Sequence, residues 1–155
     1  METKFNFNSQ ICTTREQSER LLALGLRKET ADMYWWQETD QYGDGNGKWH
    51  RQLLDLKEDK EHFKYLDKTF GVCLDVDTDE QFFIPAWSLN RLLSLLPKEI
   101  LCEVENGLGM YFGDENAVSY FGVLGYYTHA NLYDAIILCI EDVIKEGYFP
   151  KEYLV

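Results

Sequence analysis

The chain has 155 residues, with 27 Asp and Glu against 15 Lys and Arg, giving a formal net charge of −12. Apolar residues make up 45 % of it and aromatics 15 %, which excludes a disordered or low-complexity polypeptide. The acid excess argues against direct nucleic-acid binding, which depends on Lys and Arg neutralising phosphates.

A chain of this length normally forms one domain and buries roughly 68–70 % of the surface its unfolded form exposes. The expectation is a single compact α+β domain over residues 1–155, a small antiparallel sheet packed by amphipathic helices. Cys12, Cys73, Cys102 and Cys139 form no C-x-x-C pair, so they match neither a zinc ribbon nor a thioredoxin-type site. Their apolar neighbours suit small buried hydrophobes in a reducing compartment. Met1-Glu-Thr-Lys-Phe-Asn-Phe-Asn8 lacks the basic start and apolar centre of a signal peptide. No apolar run approaches the ~20 residues of a membrane helix. A cytoplasmic protein away from the membrane is expected.

Thr13-x-x-Glu16 and Thr14-x-x-Gln17 are overlapping capping boxes that mark a first helix in one of two registers. Leu21, Leu22 and Leu24 supply its apolar surface, and Gly25 suits the left-handed position after its end. A second, shorter helical turn is expected from Thr30, capping Ala31 to Trp36. The stretch from Thr39 to Lys48 has three glycines in five residues and reads as an exposed loop or long hairpin connection. Lys57 to Lys68 carries no decisive pattern, whereas Val72, Leu74 and Val76 place a strand over 70–77.

Ser88 can cap a helix whose Leu89, Leu92, Leu93 and Leu96 form one stripe, with Pro97 ending it. Residues 100–105 and 108–112 pattern as a hairpin about Asn106-Gly107. A third strand is expected from Val118 to Tyr127, with Gly122 and Gly125 as bulges. The last helix runs from the Asn131 cap to Gly147. Ile136, Ile137, Ile140, Val143 and Ile144 share one face, opposite Asp134, Glu141, Asp142, Lys145 and Glu146. Leu138 falls among the charges, where it is shielded by a neighbour or open to a partner.

No constellation assigns a reaction. EF-hand loops started at Asp40, Asp44 or Asp75 all place wrong residues at ligand positions. Asp75, Asp77 and Asp79 read as a solvated strand face or turn. His50, His62 and His129 lack helical zinc spacing, and Gly43 to Gly47 lacks the Lys-Ser/Thr of a phosphate loop. There is no G-x-S-x-G elbow. No catalytic, cofactor-binding or metal-binding residue is therefore assigned, and no cofactor is expected.

The aromatics say more. Tyr34-Trp35-Trp36, Tyr42 and Trp49 put five rings around the glycine-rich loop. In a helix, Trp35 and Trp36 would point to different sides. The rings either complete the core or form a protein-binding surface, since Trp and Tyr dominate interface hot spots. Trp35, Trp36, Tyr42, Trp49, Leu138 and Glu141 are the candidate partner-binding residues. Acids concentrate towards the end: residues 101–155 hold nine acids and two bases.

Three blocks carry a resemblance. They are Ile11-Cys-Thr-Thr with Leu21-Leu22, Leu24-Gly-Leu26 and Thr30-Ala-Asp-Met33; Pro85-Ala-Trp-Ser-Leu89 with Leu92-Leu93 and Leu96-Pro97; and Tyr133-Asp134 through Gly147-Tyr148. Together they resemble small phage and mobile-element proteins of gut Bacteroidetes, a group with no known activity. The resemblance implies an accessory protein of such an element and carries over no site residue. The second block also has a local account: Pro85 ends an extended run, Trp87 anchors a helix start and Ser88 caps it.

The leading expectation is a noncatalytic protein-binding module with an acidic, aromatic surface and a protein partner. One alternative is a nucleic-acid mimic that inhibits a DNA-binding protein. Another is a small enzyme with a site assembled from distant residues. A β-rich segment with an open edge also admits a homo-oligomer.

Overall fold

A computed structural model describes residues 9–37, 49–53, 83–100, 107–120 and 123–155. The expected glycine loop, the Lys57–Lys68 segment, the strand over 70–77 and the first half of the 100–112 hairpin lie outside these residues. So do Tyr42, Cys73 and Cys102.

Helix α1 (Arg15–Ala23) settles the register of its capping boxes: Thr14 is the cap. The Gln17 N–H donates to Thr14 Oγ1 at 3.2 Å, and the Thr14 N–H donates to Gln17 Oε1 at 2.9 Å. At the other end Gly25 has φ +89°. Its N–H reaches Leu22 O at 2.9 Å while the Leu26 N–H reaches Leu21 O at 3.1 Å. This is a Schellman closure, which an L side chain at Gly25 would strain. Of the three leucines expected to pack, Leu21 is fully buried and Leu22 stays partly exposed.

The helical turn expected after Thr30 does not form. A 3₁₀ turn covers Lys28–Thr30, and strand β1 (Met33–Gln37) follows it. Thr30 Oγ1 donates to Arg27 O at 2.7 Å and accepts from Trp87 Nε1 at 2.9 Å, so it does not cap the next residues. The Tyr34-Trp-Trp36 run fits a half-buried pleated surface better than a helix. It gains a ladder on each side, from β2 (Trp49–Leu53) and β3 (Phe83–Ala86). Pro85 lies within β3, opposite Tyr34, rather than ending the run. Its missing donor is tolerated because β3 is an outer strand of this three-stranded sheet, among the described residues.

Helix α2 (Leu89–Leu95) starts at Ser88 as expected. Ser88 Oγ accepts from the Arg91 N–H at 3.2 Å. Its own N–H and hydroxyl donate to Asp32, at 2.8 and 2.5 Å. Leu92, Leu95 and Leu96 are buried, with Leu89 and Leu93 packed beside them.

The strand expected over Val118–Tyr127 breaks in two. Strands β5 (Asn116–Tyr120) and β6 (Tyr126–His129) run antiparallel, so Gly125 belongs to their connection and is no bulge. Strand β4 (Leu108–Tyr111) pairs with the other edge of β5. The outcome is α+β, as expected, with two small antiparallel sheets among the described residues, in the orders β2-β1-β3 and β4-β5-β6.

Helix α3 (Leu132–Lys145) follows its pattern most closely. Asn131 Oδ1 accepts from the N–H groups of Tyr133 and Asp134, and Gly147, at φ +78°, closes the far end. Ile136, Ile137, Ile140 and Val143 are fully buried. They join Val118 and Tyr120 of β5, Leu92 and Leu95 of α2, Leu21 of α1, and Trp87 in the main core. A smaller cluster of Cys12, Met33 and Ala86, with Trp35 against it, lies under the first sheet.

Thr13 joins the two halves. It is completely buried, and all of its polar atoms are used. Its N–H donates to Trp87 O at 2.9 Å, and its carbonyl accepts from Trp35 Nε1 at 2.9 Å. Its hydroxyl accepts from the Trp87 N–H at 3.0 Å and shares a hydrogen bond with Ser18 Oγ at 2.7 Å.

Thr13→Val removes the hydroxyl and leaves the buried Trp87 N–H and Ser18 Oγ without this partner. An unsatisfied buried group costs about 1–3 kcal/mol, so the two together should lower stability by about 2–6 kcal/mol. Urea unfolding at unchanged slope measures it. A loss below about 0.5 kcal/mol, the scale of an ordinary surface change, would show that Thr13 is not a junction.

Candidate functional site

The tryptophans sit on the β1–β2 ladder, and the pleat divides them. Met33, Trp35 and Gln37 pair with Leu53, Arg51 and Trp49, so Trp35 and Trp49 belong to one face. Trp36 belongs to the other face with Tyr34 and Phe83, whose rings meet edge-on at 5.7 Å between centroids. The expected divergence of Trp35 and Trp36 thus holds, through a strand and not a helix.

Trp35, Trp36 and Trp49 are all half-buried. The Trp35 indole is anchored on the Thr13 carbonyl, and the Arg51 guanidinium lies 5.7 Å from its ring centroid. Arg15, at the start of α1, lies 4.9 Å from the Trp49 centroid. Such cation–π contacts contribute about 0.5–1 kcal/mol at exposed sites and more when desolvated. Trp35 and Trp49 are thereby engaged in fastening the sheet to the segment before α1 and to α1 itself.

The other candidates lie on α3. Glu141 is ion-paired to Arg20 of α1, with both side chains a little under half exposed, and Leu138 is half-buried. Neighbouring acids are also engaged. Asp134 accepts from Gln17 Nε2 at 2.8 Å and lies 3.5 Å from His129 Nδ1. Asp142 accepts from the Tyr127 hydroxyl at 2.5 Å. Burial, then Asp142, pushes the Tyr127 phenol well above its ordinary value.

Nucleophile chemistry finds little support among the described residues. Burial raises the Cys12 thiol, only partly offset by Arg51, and pushes Cys139 up to about 12, with Asp142 adding to the rise. Both are protonated at neutral pH, and the thiolate is the reactive form. Among the described residues no group of three or more His, Cys, Asp and Glu is arranged to hold a metal ion. An open depression of about 480 Å³ lies between Leu22, Leu26 and Leu154, and its rim carries an Arg27–Glu29 ion pair at 3.5 Å. No helix among the described residues is long and apolar enough to cross a membrane.

A different surface draws attention. The β4–β5 hairpin ends in Tyr111-Phe-Gly-Asp-Glu115, all exposed. Phe112 is 69 % exposed and Tyr111 45 %, and Tyr126 on β6 is 63 % exposed. Tyr111 pairs with Ala117, and Tyr126 with Ser119. Ala117 and Ser119 lie two apart on β5, so all four side chains share the sheet face turned away from Val118 and Tyr120. The Tyr111 and Tyr126 rings meet above that face with centroids 6.4 Å apart. Sequence reasoning missed this patch because the Val118–Tyr127 stretch read as one strand. The Gly113-Asp-Glu-Asn116 turn signal was its available clue.

Comparison with family models, curated proteins and solved structures finds no match.

The raised thiols carry a pH signature. In the unfolded chain a cysteine ionises near pH 8.5, whereas folded Cys139 holds its proton to about pH 12. The folded state binds the proton more tightly, so this contribution is complete below about pH 8.5 and is lost as pH rises towards 12. Thermal midpoints should therefore fall between about pH 8.5 and 10, before the tyrosines titrate. Cys139→Ala should show a shallower fall than the parent. Equal slopes would place the Cys139 thiol in a wet environment.

Proposed function

We propose that this protein is a noncatalytic protein-binding module whose contact surface is the aromatic and acidic tip of the β4–β5 hairpin with Tyr126. The exposure of Phe112, Tyr111 and Tyr126 beside Asp114 and Glu115 carries the reading. Exposed aromatics grouped on one face mark contact sites more often than scattered apolar residues do. The acid excess of residues 101–155 makes the same region the natural one for an acid-seeking partner. The three-block resemblance supports an accessory role in a phage or mobile element of gut Bacteroidetes, with a host or element protein as partner.

Charge mimicry of nucleic acid draws less support. Asp134, Glu141 and Asp142 each take up an intramolecular partner and so form no free row of carboxylates.

Immobilised protein should capture a partner that, once identified and purified, binds saturably and more weakly at high salt. Phe112→Ala should weaken that complex about tenfold, as expected for an aromatic anchor near 1.4 kcal/mol. Far-UV circular dichroism should be unchanged. Equal affinity of parent and variant would move the contact surface elsewhere.

A further inference from the structure

Resting on that protein-binding reading, we propose that the patch receives an arginine-bearing extended segment of the partner. Three observations converge on this chemistry. The Tyr111 and Tyr126 rings, tilted at 49° to each other, present exposed π-surface on the outer face of the second sheet. Asp114 and Glu115 stand exposed in the turn that follows Tyr111 and Phe112, in a region with nine acids and two bases. Below the rings, Ser119 is 1 % exposed and its hydroxyl has no hydrogen-bond partner.

A buried hydroxyl left unpaired is unfavourable, and its position on the face of both rings points to a missing polar group there. A guanidinium fits all three features. It stacks flat on aromatic faces, carries five N–H donors for carboxylates and a hydroxyl, and sheds water more readily than an ammonium. Lysine has the charge without the plane or the fork. A phosphate-bearing ligand or an anionic lipid surface meets the wrong sign of charge here.

The test is fluorescence anisotropy with a labelled peptide of alternating arginine and serine, alongside its lysine and glutamate counterparts. The arginine peptide should bind saturably and several-fold tighter than the lysine peptide, and the glutamate peptide should not bind. Tyr126→Ala, and separately Asp114→Asn with Glu115→Gln, should each weaken the arginine peptide about tenfold. Ser119→Ala should weaken it about threefold while leaving the fold at least as stable, since it removes an unsatisfied group. Equal binding of arginine and lysine peptides, or indifference to all the patch variants, overturns the proposal. If the purified partner is weakened by Phe112→Ala but not by Asp114→Asn with Glu115→Gln, the arginine segment is wrong and the protein-binding reading stands. If the partner ignores both, both fall.

Discussion

One buried threonine links α1, the first sheet and the start of the main core. Thr13 ties the segment before α1 to Trp87 through two backbone-directed hydrogen bonds, and to β1 through the Trp35 indole. Neither of the small sheets would be expected to stand alone, because short strands need a packed face to gain stability. The first sheet packs one face where Cys12, Met33 and Ala86 close beside the Thr13 segment, and its other face buries Tyr34 and Phe83. The main core begins at the same place, since Trp87, the largest fully buried side chain among the described residues, lies beside the Thr13 contact.

Around this junction three helix starts are cross-connected. Gln17, part of the α1 cap, donates to Asp134 in the first turn of α3. The Leu89 N–H at the start of α2 donates to the Tyr133 hydroxyl, also in that first turn. Asp32 holds the α2 cap residue Ser88. Helix N-termini leave unpaired donors and a partial positive charge, which carboxylates and hydroxyls satisfy. Here each helix start has its own cap in Thr14, Ser88 or Asn131, and the contacts through Gln17, Tyr133 and Asp32 add links between elements that fix where the neighbours lie. The tryptophan and α3 carboxylate contacts belong to the same fastening.

Local signals were legible in the chain, and pairing was not. The Asn131 and Ser88 caps, the closing glycines 25 and 147, and the α3 stripe were all evident because each depends on residues within one or two turns. The Ala31–Trp36 segment was misassigned because Thr30 resembles a cap, while its hydroxyl is taken by Trp87, 57 positions away. The split of Val118–Tyr127 escaped notice because continuous aromatic and apolar residues hid the turn between β5 and β6. The candidate site suffered most. A tryptophan's exposure depends on which strand covers it, and Arg15 and Arg51 reach Trp49 and Trp35 only in the folded chain. Tyr111 and Tyr126, in contrast, became visible as neighbours only after β4, β5 and β6 were aligned.

We propose a division of labour in which the tryptophans hold the fold and the hairpin tip meets the partner. Measuring unfolding free energy and arginine-peptide affinity on the same two proteins, Trp35→Phe and Phe112→Ala, tests it most directly. Trp35→Phe loses the indole donor to Thr13 and should cost about 1–2 kcal/mol of stability, with the folded protein's affinity unchanged. Phe112→Ala should lose affinity with stability within about 0.5 kcal/mol of the parent. A folded Trp35→Phe protein that no longer binds, beside a Phe112→Ala protein that still does, would contradict the account.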